Sequence, residues 1–309
     1  MLKAVGWKPA TLLSHWERID SGIWHLISGS HSFPVPVFAY LGYCFNGQID
    51  IHSMKQRVIL LGASNLTIGF PLVLKMLENG FPAPVEIHAA YGHGRSYGTW
   101  SRIFYRELPG IINCHLWDNV NTAGISPAST VALLTDVGND LMYGADVSQI
   151  LEWIEECLRR LAEQQSQIVL TLLPMSGLKT LSALRFHFAR MIFFPKQSSS
   201  RPDLLKRAAE LNERLFHVGS RYGVHFIEPP ATWYGLDPIH IRRSRRKEAW
   251  RKIFSGWPSF GLADDSVHSS LKHRFDTWRF RPAQRRIRGR LQSTPQPVLQ
   301  TERAILYLY

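Results

Sequence analysis

Asp237-Pro238-Ile239-His240 sets a carboxylate three residues before an imidazole. At that spacing the carboxylate can accept the Nδ1–H, fix the tautomer and support the imidazolium that forms when Nε2 takes a proton. Alone, the pair reads first as a satisfied surface histidine. Ser64, in Gly62-Ala63-Ser64-Asn65-Leu66, follows a short apolar run. A serine there serves either as a nucleophile or as the cap of the next helix. The block is not Gly-x-Ser-x-Gly, so the strand-to-helix nucleophile elbow does not fit. Asn139 lies in Asp136-Val137-Gly138-Asn139-Asp140-Leu141, which is a turn signature or an amide aimed at a developing oxyanion. Gly92-His93-Gly94-Arg95-Ser96-Tyr97-Gly98 has a similar double reading. Its glycines serve turn geometry or bring a backbone N–H close to a substrate oxygen. Its spacing is not Gly-x-Gly-x-x-Gly, which excludes a dinucleotide fingerprint. His88, His93 and Asp136 match no metal-ligand spacing, and neither a metal nor an organic cofactor is expected.

These residues need elements to position them. Val58-Ile59-Leu60-Leu61 reads as a buried parallel strand, followed by a helix over 67–78. Further strands are expected at 85–90, 130–135, 167–173 and 224–227. Val147, Ile150, Leu151, Ile154, Leu158 and Leu161 mark one apolar face of a helix, and a second runs from about Pro202 to Arg221. Alternating strands and helices imply a parallel sheet covered on both faces. The expected fold is α/β, a flavodoxin-like three-layer sandwich with five parallel strands in the order 2-1-3-4-5. In such sheets chemistry sits at the carboxyl ends of the strands. Ser64, the Gly92–Gly98 loop and Asn139 each stand just past a strand end, and Asp237–His240 lies beyond the fifth strand.

Taken together, the four blocks run in the order Ser, Gly, Asn, Asp-x-x-His. That order resembles the SGNH (GDSL-type) hydrolase family over roughly Arg57 to Trp250. The resemblance implies Ser64 as nucleophile, with His240 as general base and Asp237 orienting it. It also implies an oxyanion hole from the N–H groups of Ser64 and Gly94 and the Asn139 side chain. Gly94 is the better match for the second block, because Gly94-Arg95-Ser96 is similar to a Gly-Arg-Ser seen in some carbohydrate acetylesterases of the family; Gly92 is the alternative. Two blocks depart from the pattern. Gly62-Ala63-Ser64 lacks the aspartate of Gly-Asp-Ser, and Val137-Gly138-Asn139-Asp140 displaces a glycine by one. The implied reaction is hydrolysis of a carboxylic ester, with a carbohydrate, lipid or other small-molecule ester as substrate. The acyl group, the alcohol and transfer to an acceptor other than water stay open. The alternative is a catalytically idle SGNH-like domain that binds an anionic partner through the basic C-terminal segment.

The chain has 309 residues, 45% of them hydrophobic, and a formal net charge of +12. Residues 241–290 hold 15 Lys and Arg against 4 acidic residues, so nearly all of that charge belongs to one segment. Nucleic acid is not the expected partner, because no recognised nucleic-acid fold accompanies the Arg-rich stretch 242–290, although its composition leaves phosphate contacts open. Arg242 and Arg243 follow His240 directly and could steer an anionic substrate. Three expected divisions follow: a poorly structured extension over 1–54, the hydrolase-like domain over 55–254 and a basic segment over 255–309. No membrane span is expected, because no apolar run reaches about 18 residues. Met1 to Asp20 lacks a continuous apolar stretch and a small-residue cleavage site, so no secretory leader is expected. Three scattered cysteines, Cys44, Cys114 and Cys157, argue against a disulfide framework and for the cytoplasm. The oligomeric state is open.

Overall fold

A computed structural model describes residues 56–122, 129–179, 200–235, 237–261 and 271–309. The extension expected over 1–54 lies outside the described residues, as does Cys44.

The chain enters through β1 (Gln56–Leu61), α1 (Ser64–Gly80) and β2 (Val85–Ala90). A short hairpin of β3 (Ser101–Ile103) and β4 (Arg106–Leu108) precedes α2 (Leu116–Thr122) and β5 (Ser129–Leu134). Then come α3 (Asn139–Met142), α4 (Val147–Glu163), β6 (Gln167–Thr171), α5 (Met175–Lys179), α6 (Arg201–Ser220) and β7 (His225–Ile227). The last part holds α7 (Arg246–Phe254), α8 (Leu271–Arg279), β8 (Gln284–Ile287), β9 (Arg290–Ser293), β10 (Leu299–Gln300) and β11 (Ala304–Leu308).

β1 is apolar without interruption after Arg57 because both of its faces are covered. Val58 and Leu60 pack with Leu66, Phe70, Val73 and Trp250 on one side. Ile59 and Leu61 pack with Ile150, Ile154, Leu211 and Leu215 on the other. Helices α1 and α7 thus cover one face, and α4 and α6 the other. The five strands β2-β1-β5-β6-β7 are parallel and lie in the order 2-1-3-4-5.

The sheet has seven strands rather than the expected five. β11 pairs parallel with β2, and β10 pairs antiparallel with β11 at the outer edge. The reason is the alternation in Ala304-Ile305-Leu306-Tyr307-Leu308. Ala304, Leu306 and Leu308 are buried in the same cluster as Val58 and Leu60. A parallel edge strand with an apolar face exposed would be unstable in water, and β11 closes that edge. Tyr307 stacks on His88 with ring centroids 4.7 Å apart. His88 is further held between Glu86 Oε1 at 2.6 Å and the Tyr309 hydroxyl at 3.0 Å. Glu86 also pairs with Arg57 at 3.1 Å.

A second sheet, β3-β4-β8-β9, is antiparallel and lies outside the sheet that the sequence predicts. Its strands are three or four residues long and rich in arginine, too short and too polar to show a lasting apolar period. Among the described residues no helix is long and apolar enough to cross a membrane.

Candidate active site

Ser64 is the first residue of α1 and stands at the carboxyl end of β1. The residue before it, Ala63, has no side chain able to cap the helix. The cap comes instead from Asp136, beyond the end of the neighbouring strand β5. One carboxylate oxygen, Oδ2, accepts from the main-chain N–H of Ala63 at 2.9 Å, Asn65 at 3.0 Å and Leu66 at 3.4 Å. A carboxylate at a helix N-terminus satisfies donors that have no partner within the helix and opposes the positive end of its dipole. To do so Asp136 takes φ of +60°, a left-handed conformation that Asp tolerates better than most residues.

The same aspartate begins a second connection. Its Oδ1 accepts from Asn65 Nδ2 at 2.7 Å. Asn65 Nδ2 also donates to the Ile239 carbonyl at 2.8 Å, and Asn65 Oδ1 accepts from the Ile241 N–H at 2.8 Å. Asn65 therefore grips the main chain on both sides of His240. Sequence reasoning passed over Asn65 and considered Asp136 only as a rejected metal ligand. The local signal for it is a polar residue directly after Ser64.

His240 sits inside that grip. Its Nε2 lies 2.9 Å from Ser64 Oγ, and its Nδ1 lies 2.6 Å from Asp237 Oδ2. With Nδ1–H donating to Asp237, Nε2 is an acceptor for the Ser64 hydroxyl, a tautomer assigned from this network. The other Asp237 oxygen accepts from the N–H groups of Ile239 at 3.0 Å and His240 at 3.2 Å. Burial raises the Asp237 pKa, but the hydrogen bond and charge of His240, with those two N–H groups, outweigh it and hold the carboxyl below its ordinary value. Asp237 is thus an anion at neutral pH and a fixed acceptor for the imidazole. The structure brings all three residues into one hydrogen-bonded chain.

Asn139 lines the same cavity as Ser64, and Gly94 belongs to the loop that Asn139 contacts. Gly94 has φ of +60°, and a Cβ there would lie 2.5 Å from the Tyr143 hydroxyl and 2.7 Å from Ile103. Both the backbone and the space therefore require glycine. The Tyr143 hydroxyl donates to the Gly94 carbonyl at 2.6 Å, and the N–H of that same peptide, Arg95's, donates to the Gly92 carbonyl at 3.1 Å, so the turn is pinned on both sides. Asn139 Nδ2 donates to the Arg95 carbonyl at 3.0 Å and so sits beside the same loop. Among the described residues the main-chain N–H groups of Ser64 and Gly94 have no acceptor, while Ala63, Asn65 and Leu66 all donate to Asp136. Unpaired main-chain donors at strand ends are ready partners for negative charge.

The Gly92–Gly98 loop is held from below. Tyr97 donates its hydroxyl to the carbonyls of Thr135 at 2.8 Å and Leu61 at 3.1 Å, and its N–H to Asp140 Oδ2 at 2.8 Å. Burial drives the Asp140 pKa up to about 6, against the hydrogen bonds from Ser96 and Tyr97 that lower it. The fully buried Arg95 donates Nε to the Pro109 carbonyl at 3.1 Å and Nη1 to the carbonyl of Tyr309, just past β11. The edge strand β11 thereby braces this loop.

A largely apolar cavity opens beside Ser64 and Asn139. It runs past Leu141, Leu173 and Leu204 toward Trp233 and Ile241. Arg242 and Arg243, next to His240 in sequence, are exposed to solvent.

No family model matches this chain, and a search of curated proteins gives no match. Among solved structures, the crystal structure of TesA is 10% identical and covers 66% of this chain and 98% of its own, with a TM-score of 0.39. A likeness that distant leaves the chemistry to be read from the site's own geometry.

Proposed function

We propose that this chain is a serine hydrolase of SGNH type that cleaves a carboxylic ester. The observation that carries this reading is the hydrogen-bonded Ser64–His240–Asp237 chain, whose serine keeps an unpaired main-chain N–H among the described residues. Each of these features alone has a bland explanation. A nucleophile, a base, an orienting carboxylate and an anion site within one small volume are what acyl transfer needs.

In this mechanism Ser64 Oγ attacks the ester carbonyl carbon while its proton passes to His240 Nε2. The carbonyl π electrons move onto oxygen, and that oxyanion is held by the N–H groups of Ser64 and Gly94 and by the Asn139 amide. The tetrahedral species collapses, the carbon–oxygen bond to the alcohol breaks, and His240 returns its proton to the leaving alkoxide. Water then repeats the sequence against the acyl-serine. His240 takes the water proton, the acid is released and Ser64 regains its hydroxyl. Asp237 stays ionised throughout and stabilises the imidazolium. The apolar cavity beside Ser64 suits an aliphatic part of the substrate.

The full chain is expected to turn over p-nitrophenyl butanoate. Removing one oxyanion donor by Asn139→Ala is expected to lower kcat by about 10²–10³-fold, with a smaller effect on KM, because the donor acts on charge present only in the transition state. Initial rates over a substrate series check this. A folded protein with no ester turnover would contradict the proposed function. Unchanged kcat in Asn139→Ala would remove that residue from the oxyanion site.

A further inference from the structure

The four-stranded antiparallel sheet stands against the Gly92–Gly94 loop, and its register shows which side chains face the site. Ile103 pairs with Arg106, Arg106 pairs with Ile287, and strand alternation puts Leu108 on the same face as Arg106. Two of these residues already touch the loop. A Cβ on Gly94 would lie 2.7 Å from Ile103 Cδ1, and one on Gly92 would lie 2.3 Å from Leu108 Cδ1. Arg106 sits between them and shares their face. Arg285, two residues before Ile287 on β8, is its diagonal neighbour on that face. Arg281 precedes β8.

The three arginines are half-buried and have no carboxylate partner among the described residues. Arg285 donates Nε to the Gln292 amide oxygen at 3.1 Å. Arg281 donates Nη1 to the carbonyls of Trp278 at 2.7 Å and Phe280 at 3.1 Å. The Arg106 side chain makes no hydrogen bond or ion pair with any described residue. The carboxylate nearest in sequence, Glu107, points to the opposite face, where it pairs with Arg102 and lies 3.9 Å from Arg286. Desolvation lowers the pKa of both Arg106 and Arg285, and in each the charge of Arg281 lowers it further. Arg106 also helps, after desolvation, to lower the pKa of His93 at the rim of the loop.

Three like charges gathered in a half-buried place repel one another and stay there at a cost unless an anion joins them. We propose that Arg106, Arg281 and Arg285 form a subsite for a phosphate group carried by the ester substrate. A phosphate monoester offers about two negative charges and three acceptor oxygens, which suits three guanidinium groups better than the two oxygens of a carboxylate. The subsite lies on the β2 side of Ser64, and the apolar cavity lies on the β5–β6 side. The substrate class is therefore an ester with an aliphatic portion at one end and a phosphate at the other. This inference rests on the hydrolase reading above and extends it.

The test compares two esters that differ only in phosphate: the butanoyl ester of glycerol and the butanoyl ester of glycerol 3-phosphate. The ratio of their kcat/KM values is measured for the wild-type full chain, Arg106→Gln and Arg285→Gln. The expected result is a wild-type preference for the phosphate ester and a fall of about tenfold in that ratio in each variant, since a charged hydrogen bond lost from a bound anion is worth about that factor. Using the ratio cancels any general damage to folding or catalysis. An unchanged ratio in both variants overturns the proposal. If neither ester is turned over, the hydrolase reading fails and the subsite is tested on its own with inorganic phosphate. Calorimetric binding that is about tenfold weaker in Arg106→Gln than in wild type then supports the subsite, and equal or absent binding overturns it.

Discussion

Ser64→Ala is expected to reduce ester turnover by on the order of 10⁴-fold or more, and His240→Ala by a comparable amount. The double variant should be no worse than the more damaged single. The two groups act as one unit, because a hydroxyl without its base and a base without its hydroxyl are equally unable to form the acyl-serine. Stability should barely move. Ser64 Oγ makes its contact to His240 at 2.9 Å at a partly exposed place, and α1 keeps its cap because Asp136 binds main-chain N–H groups rather than the serine side chain. Thermal melts beside initial rates separate the two effects. Losses that multiply in the double variant would contradict a coupled nucleophile and base.

Asn65→Ala is expected to cost about 10²-fold in kcat although Asn65 touches no reacting atom, because a shift of about 1 Å in a catalytic group costs that much. It is a positioning residue. Its side chain donates to Ile239 and accepts from Ile241, and the ring between them must hold Nε2 at 2.9 Å from Ser64. Removing the amide frees the histidine loop from Asp136 and leaves the Ile241 N–H without an acceptor. That orphaned group alone should lower stability by about 1–3 kcal/mol. KM should change less than kcat, since Asn65 is one polar lining residue while the apolar side chains of the cavity and the arginine face remain. A purely structural Asn65 would show the lower melting temperature with kcat intact below it, and that pattern would contradict the positioning role.

The parallel core was legible because buried strands such as Val58–Leu61 and Thr130–Leu134 are apolar on both faces and end in Gly or polar turns. The helix over Val147–Glu163 showed itself by an unbroken apolar stripe. What stayed hidden depends on contacts between residues far apart in sequence. β11 carries only three buried positions and follows an arginine-rich stretch whose charge dominates any local reading. Its reason to exist is the open edge of β2, which lies more than two hundred residues earlier. The second sheet joins residues 101–108 to 284–293, and neither hairpin has an apolar period of its own.

The site divides in the same way. Ser64, Gly94, Asn139, Asp237 and His240 could be singled out because side-chain type and strand-end position are local properties. The tie from Asp136 through Asn65 to the main chain around His240 could not. Asp136 sits at the end of one strand, Asn65 at the start of a helix after another, and Ile241 about a hundred residues beyond Asp136. The missing aspartate of the first block shows the same limit. From the sequence it looks like a loss, whereas in the fold the Asp136 carboxylate supplies an acceptor to Ala63 N–H at 2.9 Å, at the position where that aspartate is absent.

The most direct measurement is reaction of the purified full chain with a fluorophosphonate, followed by intact mass and peptide mapping. A fluorophosphonate loses fluoride to an activated serine and leaves a stable phosphonyl ester. The account predicts one adduct per chain, on Ser64, and no adduct in His240→Ala, because the hydroxyl then has no base to take its proton. A folded wild-type protein that stays unlabelled, or carries the label on a serine other than Ser64, would contradict it.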